Sequence, residues 1–157
     1  MATYTKTKVT NEISHSAPYG NAWVKRFVLA ADSNGKVIDL DTDGVALAAG
    51  DVVRIGWLPG GIELHDVMAI VSVPPAGGGV KVGIEYEDGE DSEVLPQQDD
   101  YFFTALDLDT AAIVRATDVM PPAVLPKNAY VTLTVGAPPA ASSRADIIVK
   151  GLNVGYA

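Results

Sequence analysis

The residues whose spacing could support chemistry are carboxylates. Asp39, Asp41 and Asp43 stand at alternate positions before Gly44. This is the opening of a D-x-D-x-D-G calcium loop, where alternate carboxylates converge on one hard cation and the glycine permits a sharp turn. The last position of such a loop, where a bidentate acid belongs, is Gly50, and no helical pattern flanks the segment. It therefore reads as an Asx-rich turn between strands. A second group, Glu85, Glu87, Asp88, Glu90, Asp91, Glu93, Asp99, Asp100, Asp107 and Asp109, lies in a stretch without Lys or Arg. Glycoside hydrolysis or metal binding needs two such groups on rigid elements at a defined separation. Residues 88–100 (DGEDSEVLPQQDD) instead read as a solvent-facing loop. His15 lies in a polar segment, and His65 has Asp66 beside it. Consecutive strand residues point to opposite faces, so these two are not a natural dyad. There is no G-x-S-x-G elbow, phosphate-binding loop or dinucleotide fingerprint. Residues 77–79 (Gly-Gly-Gly) precede a strand and read as a turn. The chain is expected to be no enzyme and to use no catalytic residue, metal or cofactor.

The elements that carry these residues are strands. Residues 50–73 (GDVVRIGWLPGGIELHDVMAIVSV) hold two apolar runs, 52–58 and 67–73, around Pro59-Gly60-Gly61. Val and Ile pack well on a pleated surface and lose side-chain freedom in a helix. Both faces of residues 68–73 are largely apolar, as in a strand sandwiched within the core. Val80, Val82, Ile84 and Tyr86 alternate with Lys81, Gly83, Glu85 and Glu87, a period of two with one buried face. Residues 21–30, with the charged pair Lys25-Arg26, read as a strand with one wet face. Asn34-Gly35 supplies a tight turn into a short strand at 36–40, making 21–40 a hairpin. Residues 45–49 fit a brief strand or one helical turn. Tyr101-Phe102-Phe103 closes one end of the core. Residues 105–112 hold the one short helix, with Thr104 or Asp107 as caps. Strands at 113–117, 129–135 (Val131, Leu133 and Val135 inward, Thr132 and Thr134 outward) and 146–154 complete the chain. About eight strands with Gly- and Pro-rich connections point to an all-β sandwich or barrel, and a jelly-roll-like β-sandwich is the fold expected. Residues 1–20 read as an extended N-terminal arm ending at Pro18-Tyr19-Gly20, and residues 21–157 as the β-sandwich domain.

Composition sets further bounds. A chain of 157 residues is long enough for one domain with its own core. No apolar run approaches the roughly 18 residues of a membrane span, and the N-terminus lacks the apolar segment of a secretory signal. Cysteine is absent, which removes disulfides and thiolate metal sites. A net charge of −9 argues against nucleic acid as a partner, because phosphates demand a basic surface. The first thirty residues run the other way, with Lys6, Lys8, Lys25 and Arg26 against Glu12. An acidic body with a basic arm fits two uses: a solubilising surface facing solvent, and docking of the arm on an acidic neighbour.

Asp51-Val-Val-Arg-Ile-Gly-Trp-Leu-Pro59-Gly-Gly, the apolar strand after it, Lys81-Val-Gly-Ile-Glu-Tyr-Glu and Asp99-Asp-Tyr-Phe-Phe together resemble the head decoration (cement) proteins of short-tailed bacteriophages. The likeness spans residues 50–154, with an arm of similar character before it. It implies a sandwich or jelly roll on the outer surface of the virion, made in the host bacterial cytoplasm and clamping neighbouring major capsid proteins. It implies the major capsid protein and further copies of the chain as partners, in a homodimer or a trimer, with no nucleic acid, membrane or cofactor. Lys6, Lys8, His15, Tyr19, Lys25 and Arg26, from the basic arm and the strand after it, are the candidate capsid or subunit contacts. The alternative is a phage fibre or receptor-binding module that recognises glycans.

Overall fold

The computed structural model describes residues 1–7, 21–42, 44–73, 79–107, 110–116 and 122–155. Their strands are β1 (Thr3–Thr5), β2 (Ala22–Ala30), β3 (Val52–Leu58), β4 (Ile62–Val73), β5 (Val80–Tyr86), β6 (Gln98–Leu106), β7 (Ala112–Arg115), β8 (Ala123–Val124), β9 (Ala129–Thr134) and β10 (Arg144–Asn153). One sheet has the order β1-β3-β9-β5-β6 and the other β2-β10-β4-β7, with β8 pairing β4 beyond β7. From β2 to β5 successive strands alternate between the sheets. β3 and β4 are joined by Pro59-Gly60-Gly61, yet they belong to opposite sheets. With β1 and β8 set aside, β2-β10-β4-β7 faces β3-β9-β5-β6, the strand arrangement of a jelly roll. The all-β sandwich expected from the strand pattern is the fold of the chain.

Alternation places the core. Val80, Val82, Ile84 and Tyr86 of β5 all point inward and are buried, as are Val131, Leu133 and Val135 in and just after β9. Thr132, expected to face solvent, is also buried. It points to the outer face of the first sheet, where its neighbours across the register are Arg54 and Gly83. Position 83 has to be glycine, because a Cβ there would stand 2.0 Å from the Gln98 carbonyl oxygen, where β6 crosses the sheet.

Three expectations are corrected. No helix occurs among the described residues. Ala105 and Leu106 end β6, Ala112 opens β7, and residues 108–109 lie outside the description. Leu106 is buried opposite Val80, and that burial outweighs the local capping pattern. The turn at 32–35 forms as read: the Asp32 carboxylate accepts the Asn34 and Lys36 N–H groups, and Gly35 has a φ of 75°. The returning strand is reduced to isolated pairings, Ala31 with Val37 and Leu40 with Lys6. Finally, β4 lies inside its sheet, but only one of its faces is covered. Val67, Ala69 and Val71 are buried, whereas Met68 and Ile70 look outward and are half-buried.

Candidate interaction surface on the second sheet

The outward side chains of β2, β10, β4 and β7 are ordered by the strand register. Val28, Asp146, Ile70 and Ile113 form one row across the sheet, and Arg26, Ile148, Met68 and Arg115 form the next. Val24, Lys150 and Asp66 form a third. Ile113 is 71% exposed and lies beside the half-buried Ile70, Met68 and Ile148, so these four form an apolar strip open to solvent. A contiguous apolar strip rimmed by charge marks a place of contact.

Its charges are layered. Asp66 and Asp146 lie low in the face and the cations lie above them. Arg115 Nε donates to Asp66 Oδ1 at 2.6 Å, and Lys150 Nζ stands 3.4 Å from Asp66 Oδ2. Arg144 donates through Nε and Nη2 to the two Asp146 oxygens at 3.2 and 3.1 Å, and Arg26 Nε lies 3.8 Å from Asp146 Oδ1. The Arg115 hydrogen bond holds the Asp66 carboxyl below the usual range against the opposing effect of burial. Hydrogen bonds to Asp66 and Asp146 likewise raise the Arg115 and Arg144 guanidinium groups. Arg26, Arg115, Arg144 and Lys150 outnumber the two acids beneath them, so this part of the face is positive on an acidic protein.

The sequence-derived contact residues fall around this face in part. Arg26 belongs to it. Lys6 Nζ donates to the Val28 carbonyl at 2.7 Å, at the β2 edge of the same sheet. Lys25 points the other way: the alternation of β2 turns it inward with Trp23 and Phe27, and it is only 8% exposed. Its ammonium lies over the Phe27 ring, 5.4 Å from the centroid, so it is not an exposed contact. Lys8, His15 and Tyr19 lie outside the described residues.

The Asp39–Asp41 turn receives the chain's beginning. The Thr7 N–H donates to the Asp39 carbonyl at 2.8 Å, and the Asp41 N–H donates to the Thr5 carbonyl at 2.7 Å. The Asp41 carboxylate accepts the Thr5 N–H at 3.3 Å. On the other side, Thr3–Thr5 pairs in parallel with Val52–Arg54. Asp43 lies outside the described residues, and among those described no cluster of His, Asp or Glu could hold a metal ion. His65 Nε2 lies 2.6 Å from Glu63 Oε1, while Asp66 is engaged by Arg115 and Lys150, so His65 and Asp66 form no dyad. No aromatic ring among the described residues is fully exposed. Trp57 is half-buried and its Nε1 donates to Glu87 Oε2 at 3.4 Å.

Met68, Ile70, Ile113, Arg115 and Ile148 were not singled out from the sequence. A usable signal was present in residues 68–73: a strand apolar on both faces needs two covers, and a sandwich of two sheets supplies one.

The fold has solved counterparts. A chain in the capsid of Ralstonia phage GP4 superposes with a TM-score of 0.68 at 16% identity, covering 99% of this chain and 99% of that one. A chain of the cyanophage Pam1 capsid asymmetric unit superposes with a TM-score of 0.52 at 16% identity, covering 91% of this chain and 96% of that one. Neither a protein family nor a curated protein matches the sequence. At such identity the likeness is one of fold.

Proposed function

We propose that this chain is a capsid decoration (cement) protein of a tailed bacteriophage, a viral structural protein bound to the outer surface of the major capsid lattice. The observation that carries the proposal is the end-to-end likeness to a chain of the Ralstonia phage GP4 capsid. The decoration role itself draws on the sequence resemblance and on an open apolar, basic face suited to contact. In this reading residues 1–20 act as an arm and residues 21–157 as the sandwich that carries it. Lys6, Lys8, His15, Tyr19 and Arg26 supply contacts to the shell or to neighbouring subunits, without a cofactor or nucleic acid. Stabilisation follows from tighter binding to the mature lattice than to its precursor, because only differential binding shifts that equilibrium.

The test is to heat phage heads with and without this protein and follow DNA release. Heads lacking it are expected to release DNA at lower temperature, with recovery when purified protein is added back. Identical release curves, with no rebinding of the added protein, would overturn the proposal.

A further inference from the structure

We propose that the basic apolar face of the second sheet receives the acidic 88–97 loop of a second copy of this chain, so that the protein self-associates head to tail. The inference goes beyond the capsid reading and does not depend on it.

The loop is built to be presented. Lys127 Nζ donates to Asp88 Oδ2 at 2.7 Å and to the Glu90 carbonyl at 2.8 Å. Asp91 Oδ1 accepts the N–H groups of Ser92 and Gln97, both at 2.8 Å. Leu95 is buried, and its carbonyl accepts the Tyr86 hydroxyl. A segment pinned at its start, middle and end loses little conformational freedom on docking. Between these anchors Val94 stands 79% exposed, with the exposed acids Glu90, Asp91 and Glu93 within four positions before it.

The receiving face is its complement. Ile113, Ile70, Met68 and Ile148 offer an apolar strip, and Arg26, Arg115, Arg144 and Lys150 rim it with positive charge. An apolar knob preceded by acids thus meets an apolar plate rimmed by bases, matching hydropathy and charge together. Pairing this face with itself would set the four cations against their own copies. The acids within these rows, Asp66 and Asp146, are already engaged from two sides each. Charge therefore favours a heterologous contact, which closes into a ring if its rotation permits.

The experiment is sedimentation of the full-length protein over graded concentration and salt, with Val94→Lys and Ile113→Asp as the loop and face variants. Both positions are highly exposed, and thermal melts confirm that each variant folds. The wild type is expected to form species larger than the monomer that dissociate as salt rises. Each variant alone is expected to associate about tenfold more weakly or worse. A mixture of the two is expected to recover a one-to-one dimer, because one copy retains a good loop and the other a good face. A wild type that stays monomeric overturns the proposal. Association lost with Ile113→Asp but untouched by Val94→Lys overturns it in favour of face-to-face pairing. A monomer whose Ile113→Asp variant fails to bind phage heads overturns it in favour of the shell as occupant, and leaves the capsid reading standing.

Discussion

The Phe27 ring occupies the space that a side chain at position 56 would need. A Cβ on Gly56 would lie 1.9 Å from Phe27 Cδ1 and 2.0 Å from Cε1. Phe27 belongs to the second sheet and Gly56 to the first, at the register shift of β3 against β9. The two residues therefore let the sheets approach closely at one point in the core. Gly56→Ala should cost about 1–3 kcal/mol, the range of overpacked cores. Phe27→Leu should recover part of that loss in the Gly56→Ala background, although alone it destabilises. Urea unfolding of the four proteins checks this, and strictly additive costs would contradict the contact.

Asp51 ties the chain's beginning to the first sheet. Its carboxylate accepts the Ala2 N–H at 2.7 Å and the Ala48 N–H at 3.0 Å. These bonds, the one from Ala48 foremost, hold its carboxyl below the usual range. The unfolded chain then takes up the proton more readily than the folded one. The contribution to stability is complete above the ordinary carboxylate range and is lost as pH falls through the lowered folded value. Asp51→Ala should cost about 1–2 kcal/mol at neutral pH. Melting curves at neutral pH and near pH 3 should show the gap to wild type narrowing on acidification.

Tyr86 sets the opposite limit. Burial foremost pushes its phenol up to about 12, and its hydroxyl donates to the Leu95 carbonyl at the base of the acidic loop. The unfolded chain releases this proton at about pH 10 and the folded chain later, so stability falls as pH rises between the two values. Tyr86→Phe should flatten that decline while lowering stability at neutral pH through loss of the hydrogen bond. Unfolding free energies measured from pH 8 to pH 12 for both proteins read the difference.

On the outer face of the first sheet, Arg54 reaches across β9 to Glu85. Nη2 lies 2.6 Å from Oε1 and Nε 2.9 Å from Oε2, with the guanidinium carbon 4.9 Å from the Tyr130 ring centroid. Both side chains are about one-third exposed, so solvent screens the pair. A double-mutant cycle with Arg54→Ala and Glu85→Ala should give a coupling of about 1 kcal/mol or less, shrinking in high salt. A coupling unchanged by salt would mean that packing on Tyr130 carries the interaction.

Much of this architecture was legible in the chain. Period-two alternation from Val80 to Tyr86 settles which face of β5 is buried, because successive side chains on a strand must point to opposite sides. The Asp32–Gly35 turn is written in its own residues, since its hydrogen bonds close within five positions. The breaker Pro59-Gly60-Gly61 likewise separates β3 from β4 by local chemistry alone. Such features depend on neighbours in sequence.

What the chain could not determine by itself depends on which elements meet. Residues 68–73 are apolar on both sides, but the sandwich has only two layers, so one side of β4 is left open and Met68 and Ile70 join Ile113 and Ile148 on a surface. Lys25 and Arg26 are adjacent and alike in charge. Only the docking of β2 decides that Lys25 goes inward over Phe27 and Arg26 outward beside Asp146. A helix pattern near residue 105 yields to the pairing of Leu106 with Val80, a contact no local spacing encodes. The sequence by itself determined an all-β chain with buried alternating faces, since those follow from side-chain period and turn chemistry. The tertiary structure alone decided the basic apolar face, since it arises where strands far apart in sequence are set side by side by register.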